Sequence, residues 1–214
     1  MVKKKKIKRK KTGKEKERRT QRKKQLKTEN KILKNFFLGI LVVIILCFVV
    51  FLIVNQSKNF EYEGVKFKIV KEGDLVLYQT SIPVVYEGKE VPYNFYLRND
   101  PRRLENIPFE GEISLAQILV INSTEGFNCD GDGIIAMANL LNLYKISGIN
   151  VIKDDNATCD SEGQYGFMKL QEGNETKIEK FGPACYNIYI NNCEILQALE
   201  RLMIESFIEI NKLM

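Results

Sequence analysis

The longest apolar run in the chain extends from Phe36 to Val54 without a charged residue. An α-helix rises about 1.5 Å per residue, so a helix over this run would be roughly 28 Å long, close to the thickness of a bilayer's hydrocarbon core. The pattern therefore predicts a transmembrane helix, and with its flanks we assign it residues 35–57.

The segment from Phe60 to Leu97 alternates apolar and polar residues, a pattern typical of β-strands. Lysines separate the apolar residues of 65–69, and residues 87–90 have the composition of a hairpin turn. We expect residues 58–111 to form an antiparallel β layer that ends in a loop from Asn99 onwards.

The remaining residues, 112–214, carry both strand and helix patterns. Ile118–Ile121 is a continuous apolar strand, and a helix over about 133–146 and a strand at 149–152 follow it, which predicts a parallel β-α-β crossover. This helix is apolar almost all round, so we expect it to be deeply buried. Three more strands are predicted at 167–170, 177–181 and 186–190.

An amphipathic helix from about Glu194 to Lys212 closes the chain, with polar residues at steps of three and four. The predicted fold class is α+β: one N-terminal transmembrane helix followed by a mixed-sheet α/β sandwich with two main helices. Residues 58–214 form one domain, and residues 1–34 form a basic arm that is disordered or an extended helix.

Charge is distributed very unevenly about the apolar run. Residues 1–34 contain 18 Lys or Arg and 3 Glu, whereas residues 35–214 contain 15 basic and 24 acidic residues. Because basic residues next to a spanning helix stay in the cytoplasm, we expect a cytoplasmic N-terminus, a single pass through the cell membrane and an extracytoplasmic C-terminal domain.

Two alternatives to an uncleaved signal-anchor are less consistent with the sequence. A cleaved signal peptide has a shorter apolar stretch and a small-residue cleavage site, which residues 54–58 do not provide. Type IV pilins resemble the chain in architecture, with a basic leader, an apolar helix and a disulfide-bonded β-rich domain. Their processing site has no counterpart between Lys31 and Gly39.

The basic arm has two candidate partners besides its role in orienting the chain. Anionic lipid headgroups attract basic residues near a membrane surface, by about 1 kcal/mol per residue. Nucleic acid is the weaker candidate, because no aromatic residue precedes Phe36 to stack on bases.

Four cysteines follow the membrane helix, and an even number in an external domain predicts two disulfides. A zinc site is disfavoured because none of the gaps between them is two to four residues. A bond between Cys185 and Cys193 is disfavoured because the strand between them would hold their ends roughly 26 Å apart. Of the two remaining pairings, we expect Cys129–Cys193 with Cys159–Cys185.

Candidate chemistry is sparse in this sequence. The chain has no histidine, which excludes Ser-His-Asp and Cys-His nucleophilic sites and histidine-ligated zinc. Residues 128–133, Asn-Cys-Asp-Gly-Asp-Gly, resemble the first half of the calcium loop of EF-hand and dockerin proteins. The resemblance implies Asn128, Asp130 and Asp132 as Ca²⁺ ligands, but Asn139 stands where the loop needs a bidentate Glu. Capping of the following helix by Asp130 or Asp132 is the favoured interpretation, so no cofactor is expected.

Four short segments together are similar to membrane-anchored proteins of small-genome (DPANN-type) archaea that have no assigned activity. They are the Cys-Asp-Gly-Asp-Gly segment at 129–133, Ile-Ala-Met-Ala-Asn-Leu at 135–140, Gln-Glu-Gly-Asn-Glu-Thr at 171–176 and Asn-Cys-Glu-Ile-Leu at 192–196. The resemblance covers roughly residues 60–207 and implies an archaeal envelope protein.

The sequence therefore predicts an envelope protein whose external domain binds or organises a surface partner, either a protein or a glycan. A non-enzymatic role is favoured because catalytic motifs are missing. The alternatives are an envelope enzyme that uses carboxylates in a cleft, such as Asp130 and Asp132, and a pilin-like subunit.

Overall fold

The computed structural model describes residues 18–20, 22, 34–52, 58–123 and 126–213, and the chain divides into two units, 1–57 and 58–214. In the first unit, helix α1 spans Lys34–Leu52 with a mean hydropathy of 3.1, and its most apolar segment is not buried by the rest of the described structure. Its length and composition suit a bilayer span. Phe36 lies in α1, whereas Val54 and most of the basic arm lie outside the described residues.

The second unit begins with an antiparallel sheet of four strands in chain order. Its strands are β1 (Asn59–Tyr62), β2 (Val65–Glu72), β3 (Leu75–Tyr86) and β4 (Lys89–Leu97). The predicted β layer is thus present. Its last hairpin has a two-residue turn rather than the expected four, because Glu87 and Gly88 both adopt positive φ and reverse the chain at once.

The segment expected to be a loop after Asn99 contains a short helix, α2 (Pro101–Leu104), and a short strand, β5 (Phe109–Glu110). The Asp100 carboxylate accepts a hydrogen bond of 3.0 Å from the Arg102 amide and so caps α2, which begins with proline. Strand β5 pairs with the second sheet, so the chain changes sheets within this segment.

The second sheet has six strands in the order β5-β9-β10-β8-β6-β7. Strands β6, β7, β8 and β10 are parallel, and β9 runs antiparallel to β10, which confirms a mixed sheet. The elements after β5 are β6 (Ile118–Ser123), α3 (Asp132–Ile146), β7 (Asn150–Lys153), β8 (Gly166–Glu172), β9 (Lys177–Gly182), β10 (Cys185–Ile190) and α4 (Ile195–Leu213). The predicted β-α-β crossover is β6-α3-β7.

Helix α4 joins the two sheets through one core. Its buried residues include Leu199 and Leu202, which belong to the same cluster as Ile188 of the six-stranded sheet. Toward the other sheet, the ring of Phe207 packs at 5.4 Å from that of Phe95 in β4. The two sheets and the two long helices therefore form one folding unit.

Helix α3 is less buried than its sequence predicts. Gly133, Ala136, Leu140, Leu143 and Tyr144 are buried, but the outer face of the helix is open to solvent. The expectation of a deeply buried helix is wrong because α3 contacts α4 and the last strand of the sheet, β7, and in the described part of the chain no element covers its outer side.

Two disulfides connect distant parts of the domain. Cys129 is bonded to Cys193 with a Cα–Cα distance of 5.5 Å, and Cys159 to Cys185 with 5.7 Å. These are the pairs expected from the sequence. The second bond holds the loop between β7 and β8 against the face of the sheet opposite the helices, where Cys185 is buried with Val120 and Phe167.

Candidate functional site

An open cavity of about 860 Å³ lies where β6 and β7 end and α3 begins. Apolar side chains from four parts of the fold line it, together with several polar groups. The lining includes Phe127 before α3, Met137 and Leu141 of α3, Leu170 of β8, Ile195 of α4, and the polar residues Asn128, Lys153 and Asp155. Its size and mostly apolar walls are typical of binding cavities.

The topology of the sheet explains why a crevice forms at this place. The chain leaves β6 toward β7 on one side, whereas the chain from β8 continues to β9 on the other side. Neighbouring parallel strands whose connections diverge leave a crevice outside their carboxyl ends, which is where α/β sheets bind ligands.

The outer side of α3 forms one wall of this cavity. Ile134, Ala138 and Leu141 recur at steps of four and three, so they lie on one side of the helix. Ile134 is 67% exposed and Leu141 is 39% exposed. We name these three residues the α3 stripe. It is an apolar surface that the rest of the described domain leaves uncovered.

Gly133 fixes the position of the wall before α3. A Cβ at this position would lie 1.6 Å from the carbonyl oxygen of Phe127, which is far inside van der Waals contact. Only glycine allows the helix to approach Phe127 so closely. The Gly133 amide also donates a hydrogen bond of 3.2 Å to the Asn128 carbonyl oxygen.

The Cys129–Cys193 disulfide ties the turn before α3 to the turn before α4 beside the cavity. The backbone is left-handed on both sides of this bond: φ is 44° at Cys129, 55° at Asp130, 47° at Asn192 and 61° at Cys193. Non-glycine residues other than Asn and Asp are uncommon in this conformation, so its occurrence at both cysteines marks two constrained turns. The disulfide therefore holds two tight turns together at the cavity rim.

The charged groups of the described cavity lining come from the end of β7 and the residues after it. The Lys153 Nζ and Asp155 Oδ2 atoms are 3.7 Å apart, and both side chains are exposed. The Asp155 carboxylate also accepts a hydrogen bond of 3.3 Å from the Ser123 amide at the end of β6. Asp155 is the one carboxylate among the described lining residues, so these residues alone do not supply the carboxylate pair that acid and base catalysis would use.

The predicted calcium residues lie at the start of α3. Asp132 is paired with Arg98, with 3.3 Å between Oδ1 and Nη1, and Asp130 lies in the left-handed turn. In the described ranges, no group of three or more His, Cys, Asp or Glu side chains is placed to share a metal ion. Calcium binding by Asn128, Asp130 and Asp132 stays a prediction, with Asp132 already in an ion pair.

The expected carboxylate cap of this helix is not formed as predicted. The residue before α3 is Gly131, with φ of 92°, and it makes no side-chain capping hydrogen bond. Asp132 instead occupies the first turn, where its charge interacts favourably with the helix dipole.

Glu200 is a buried carboxylate that the sequence did not single out. It accepts hydrogen bonds from the Arg98 amide at 2.6 Å, the Asn99 amide at 2.9 Å and the Asn99 side chain at 2.8 Å. Burial raises the pKa of this carboxyl above its ordinary value, although these hydrogen bonds act in the opposite direction. Its contacts join α4 to the end of β4, which is a structural role.

The α3 stripe and the cavity were also missed by sequence reasoning. A signal was present, because a helix that is apolar almost all round has more apolar surface than the sheet and one neighbouring helix can cover.

Comparison with models of protein families, with curated proteins and with solved structures finds no match for this chain.

Proposed function

We propose that this chain is a single-pass membrane protein whose C-terminal domain lies outside the cell and binds a surface partner, a protein or a glycan, in the cavity beside α3. The N-terminus is cytoplasmic in this arrangement, and the basic arm contacts anionic lipid headgroups. The resemblance to envelope proteins of DPANN-type archaea agrees with this proposal.

The observation that carries the proposal is the combination of α1 with two disulfides in the domain that follows. Helix α1 is exposed along its length and apolar enough to cross a bilayer. Disulfides persist in oxidising compartments outside the cytoplasm. Both Cys129–Cys193 and Cys159–Cys185 follow α1 in the chain, which supports an external location for residues 58–214.

The cavity supports binding as the activity of this domain. Its walls are mainly apolar, and the α3 stripe leaves two large apolar side chains exposed to water. Contiguous apolar surface of this kind marks binding sites in soluble domains. The described lining offers a lysine and a carboxylate, which suits orientation of a partner better than bond cleavage.

Thiol labelling of the full chain in intact cells tests the topology. With Cys47 replaced by alanine, the four remaining cysteines should react with a membrane-impermeant maleimide only after reduction, and without permeabilising the cells. The mass shift of the purified protein counts the labelled thiols.

Two results would contradict the proposal. Labelling without prior reduction would show that the disulfides are not formed in cells. Labelling that requires permeabilisation would place residues 58–214 in the cytoplasm.

A further inference from the structure

We propose that the partner is a protein that binds through an extended peptide segment, which pairs with the free edge of β7 and places its side chains against the α3 stripe. This inference rests on the proposed function, since it names the partner class of the same cavity. The juxtaposition of an unpaired strand edge and an exposed apolar helix face carries it.

Strand β7 is the last strand of its sheet in the described part of the chain, so one of its edges is unpaired. On the paired side, the Asn150 amide donates to the Gln117 carbonyl at 2.9 Å, and the Asp154 amide donates to the Ile121 carbonyl at 3.1 Å. Since backbone groups of a strand alternate between its two edges, the amides of Val151 and Lys153 point to the free edge.

An extended peptide is the occupant whose chemistry matches this edge. Its own amides and carbonyls repeat at the spacing of the groups along β7, so a paired strand would satisfy them. A glycan lacks that regular backbone spacing, and an apolar small molecule leaves polar backbone groups unpaired. The edge therefore favours a protein partner over the glycan alternative.

The α3 stripe supplies the side-chain contacts. Val151 packs against the core beneath the helices, and Lys153 lines the cavity together with the stripe, so both lie on the α3 side of β7. Ile134 to Leu141 covers about 10 Å along the helix, and the four residues of β7 cover about 13 Å. The groove thus fits about four peptide residues, with apolar side chains at alternate positions facing α3.

Two of the other three strand edges in the described domain carry features that hinder pairing. Strand β5, at the opposite edge of the same sheet, has two residues. Strand β4 contains Pro92 and charged residues at Lys89 and Glu90. Proline at an edge hinders the addition of further strands, and a two-residue strand offers few backbone groups for pairing. Strand β7 has no proline, and its Ile152 is exposed. Strand β1, at the edge of the other sheet, has no proline either, but none of its residues is among the described lining of the cavity beside α3.

The test uses the full chain reconstituted in lipid nanodiscs and a displayed library of random decapeptides. Selection should yield peptides with alternating apolar residues, and their fluorescent synthetic versions should bind by anisotropy. Methylating alternate backbone nitrogens of a selected peptide removes the donors that face β7. We expect this change to weaken binding at least tenfold, which side-chain contact alone would not require.

Variants of the chain locate the contact. Leu141→Glu adds a charge to the α3 stripe and should weaken peptide binding at least tenfold. Val85→Glu is the matched control, because Val85 is 79% exposed at the distant β3–β4 turn and should leave binding unchanged. Lys153→Pro removes a free-edge amide and should also weaken binding at least tenfold, with the unfolding temperature measured alongside.

The outcomes separate this inference from the proposed function. Selection of no peptide, or selected peptides that tolerate both backbone methylation and Leu141→Glu, overturns the peptide inference. A chain that dimerises in a manner abolished by Lys153→Pro has a second copy as its occupant, which also overturns it. The assay uses purified protein, so its result does not depend on the topology found in cells.

Discussion

Position 133 is restricted by the carbonyl group of Phe127. Most residues at the start of a helix tolerate alanine, which has the highest helix propensity. Here a methyl group has no space, since the nearest atom is a backbone oxygen that can move only with its chain. Gly133, the second residue of α3, therefore also determines where the cavity wall stands.

We expect Gly133→Ala to lower the free energy of unfolding by about 3 kcal/mol, the upper part of the range for overpacked sites. Urea denaturation of the full chain measures this change. Gly126→Ala is the matched control, because a Cβ at position 126 meets nothing within 4 Å. Equal stability of the two variants would mean that Phe127 does not lie against Gly133.

Glu200 shows two opposing effects on one carboxyl. Burial disfavours its charge, while three donors from Arg98 and Asn99 favour it, and the net effect is a raised pKa. Folding then stabilises the protonated form of Glu200. The stability that this form contributes is present at low pH and is lost as pH rises above the ordinary pKa range of a glutamate.

We expect Glu200→Gln to lower the free energy of unfolding by about 1–3 kcal/mol near pH 5, because its amide group cannot accept hydrogen bonds from all three donors. The difference in free energy of unfolding between the variant and the natural protein should narrow toward about pH 8, because the glutamate at position 200 can ionise and a glutamine cannot. Urea denaturation across this range measures it. A difference that widens with pH would show that the hydrogen bonds outweigh burial.

At the level of elements, the strands and helices that have a periodic pattern of apolar residues were predictable. The strands at 118–123 and 185–190 and the closing helix follow from local patterns of apolar residues, as does the β6-α3-β7 crossover. The strand before Cys193 also excluded a bond from Cys193 to Cys185, which left two possible pairings, and the structure has the expected one of the two. These features depend on the nearby sequence.

Features that depend on the arrangement of distant segments were not predictable. Strand β5 joins the second sheet by pairing two residues with β9, about seventy positions later. The exposure of Ile134 depends on α3 lying at the edge of the sheet, which the order of strands decides. Glu200 meets Arg98 and Asn99 only after the two sheets close around α4.

The Cys129–Cys193 disulfide connects elements that are 64 residues apart in sequence. A cross-link over that sequence separation lowers the conformational entropy of the unfolded chain. The loop-closure description gives this effect a value of about 4 kcal/mol. We expect the double substitution of both cysteines by alanine to lower the free energy of unfolding by about that amount, as measured by urea denaturation under non-reducing conditions.

The control for this variant is Cys47→Ala, which leaves both disulfides intact. An unchanged stability after loss of Cys129 and Cys193 would mean that the packing of α3 against α4 holds the turns before these helices without the covalent bond. The peptide-binding cavity would then be independent of the redox state of this pair.

At the scale of the whole molecule, the charge and the hydropathy of the chain change at the same position. The first 34 residues have a formal charge of +15 and the residues after them −9, with the apolar helix α1 beginning at the junction. The anchor that we propose, and its proposed orientation, then rest on short-range properties of the chain, independent of what the second unit binds.

We expect the double substitution Ile44→Arg and Ile45→Arg to release the chain from the membrane, because each arginine near the centre of a spanning helix costs about 2.5–3.5 kcal/mol. Alkaline carbonate extraction in high salt separates integral from peripheral proteins and also screens attraction of the basic arm to anionic lipids. The matched control changes both positions to leucine, which preserves hydropathy and should stay in the membrane pellet. Release of the leucine variant as well would show that α1 does not anchor the chain, and retention of the arginine variant would assign anchoring to another segment.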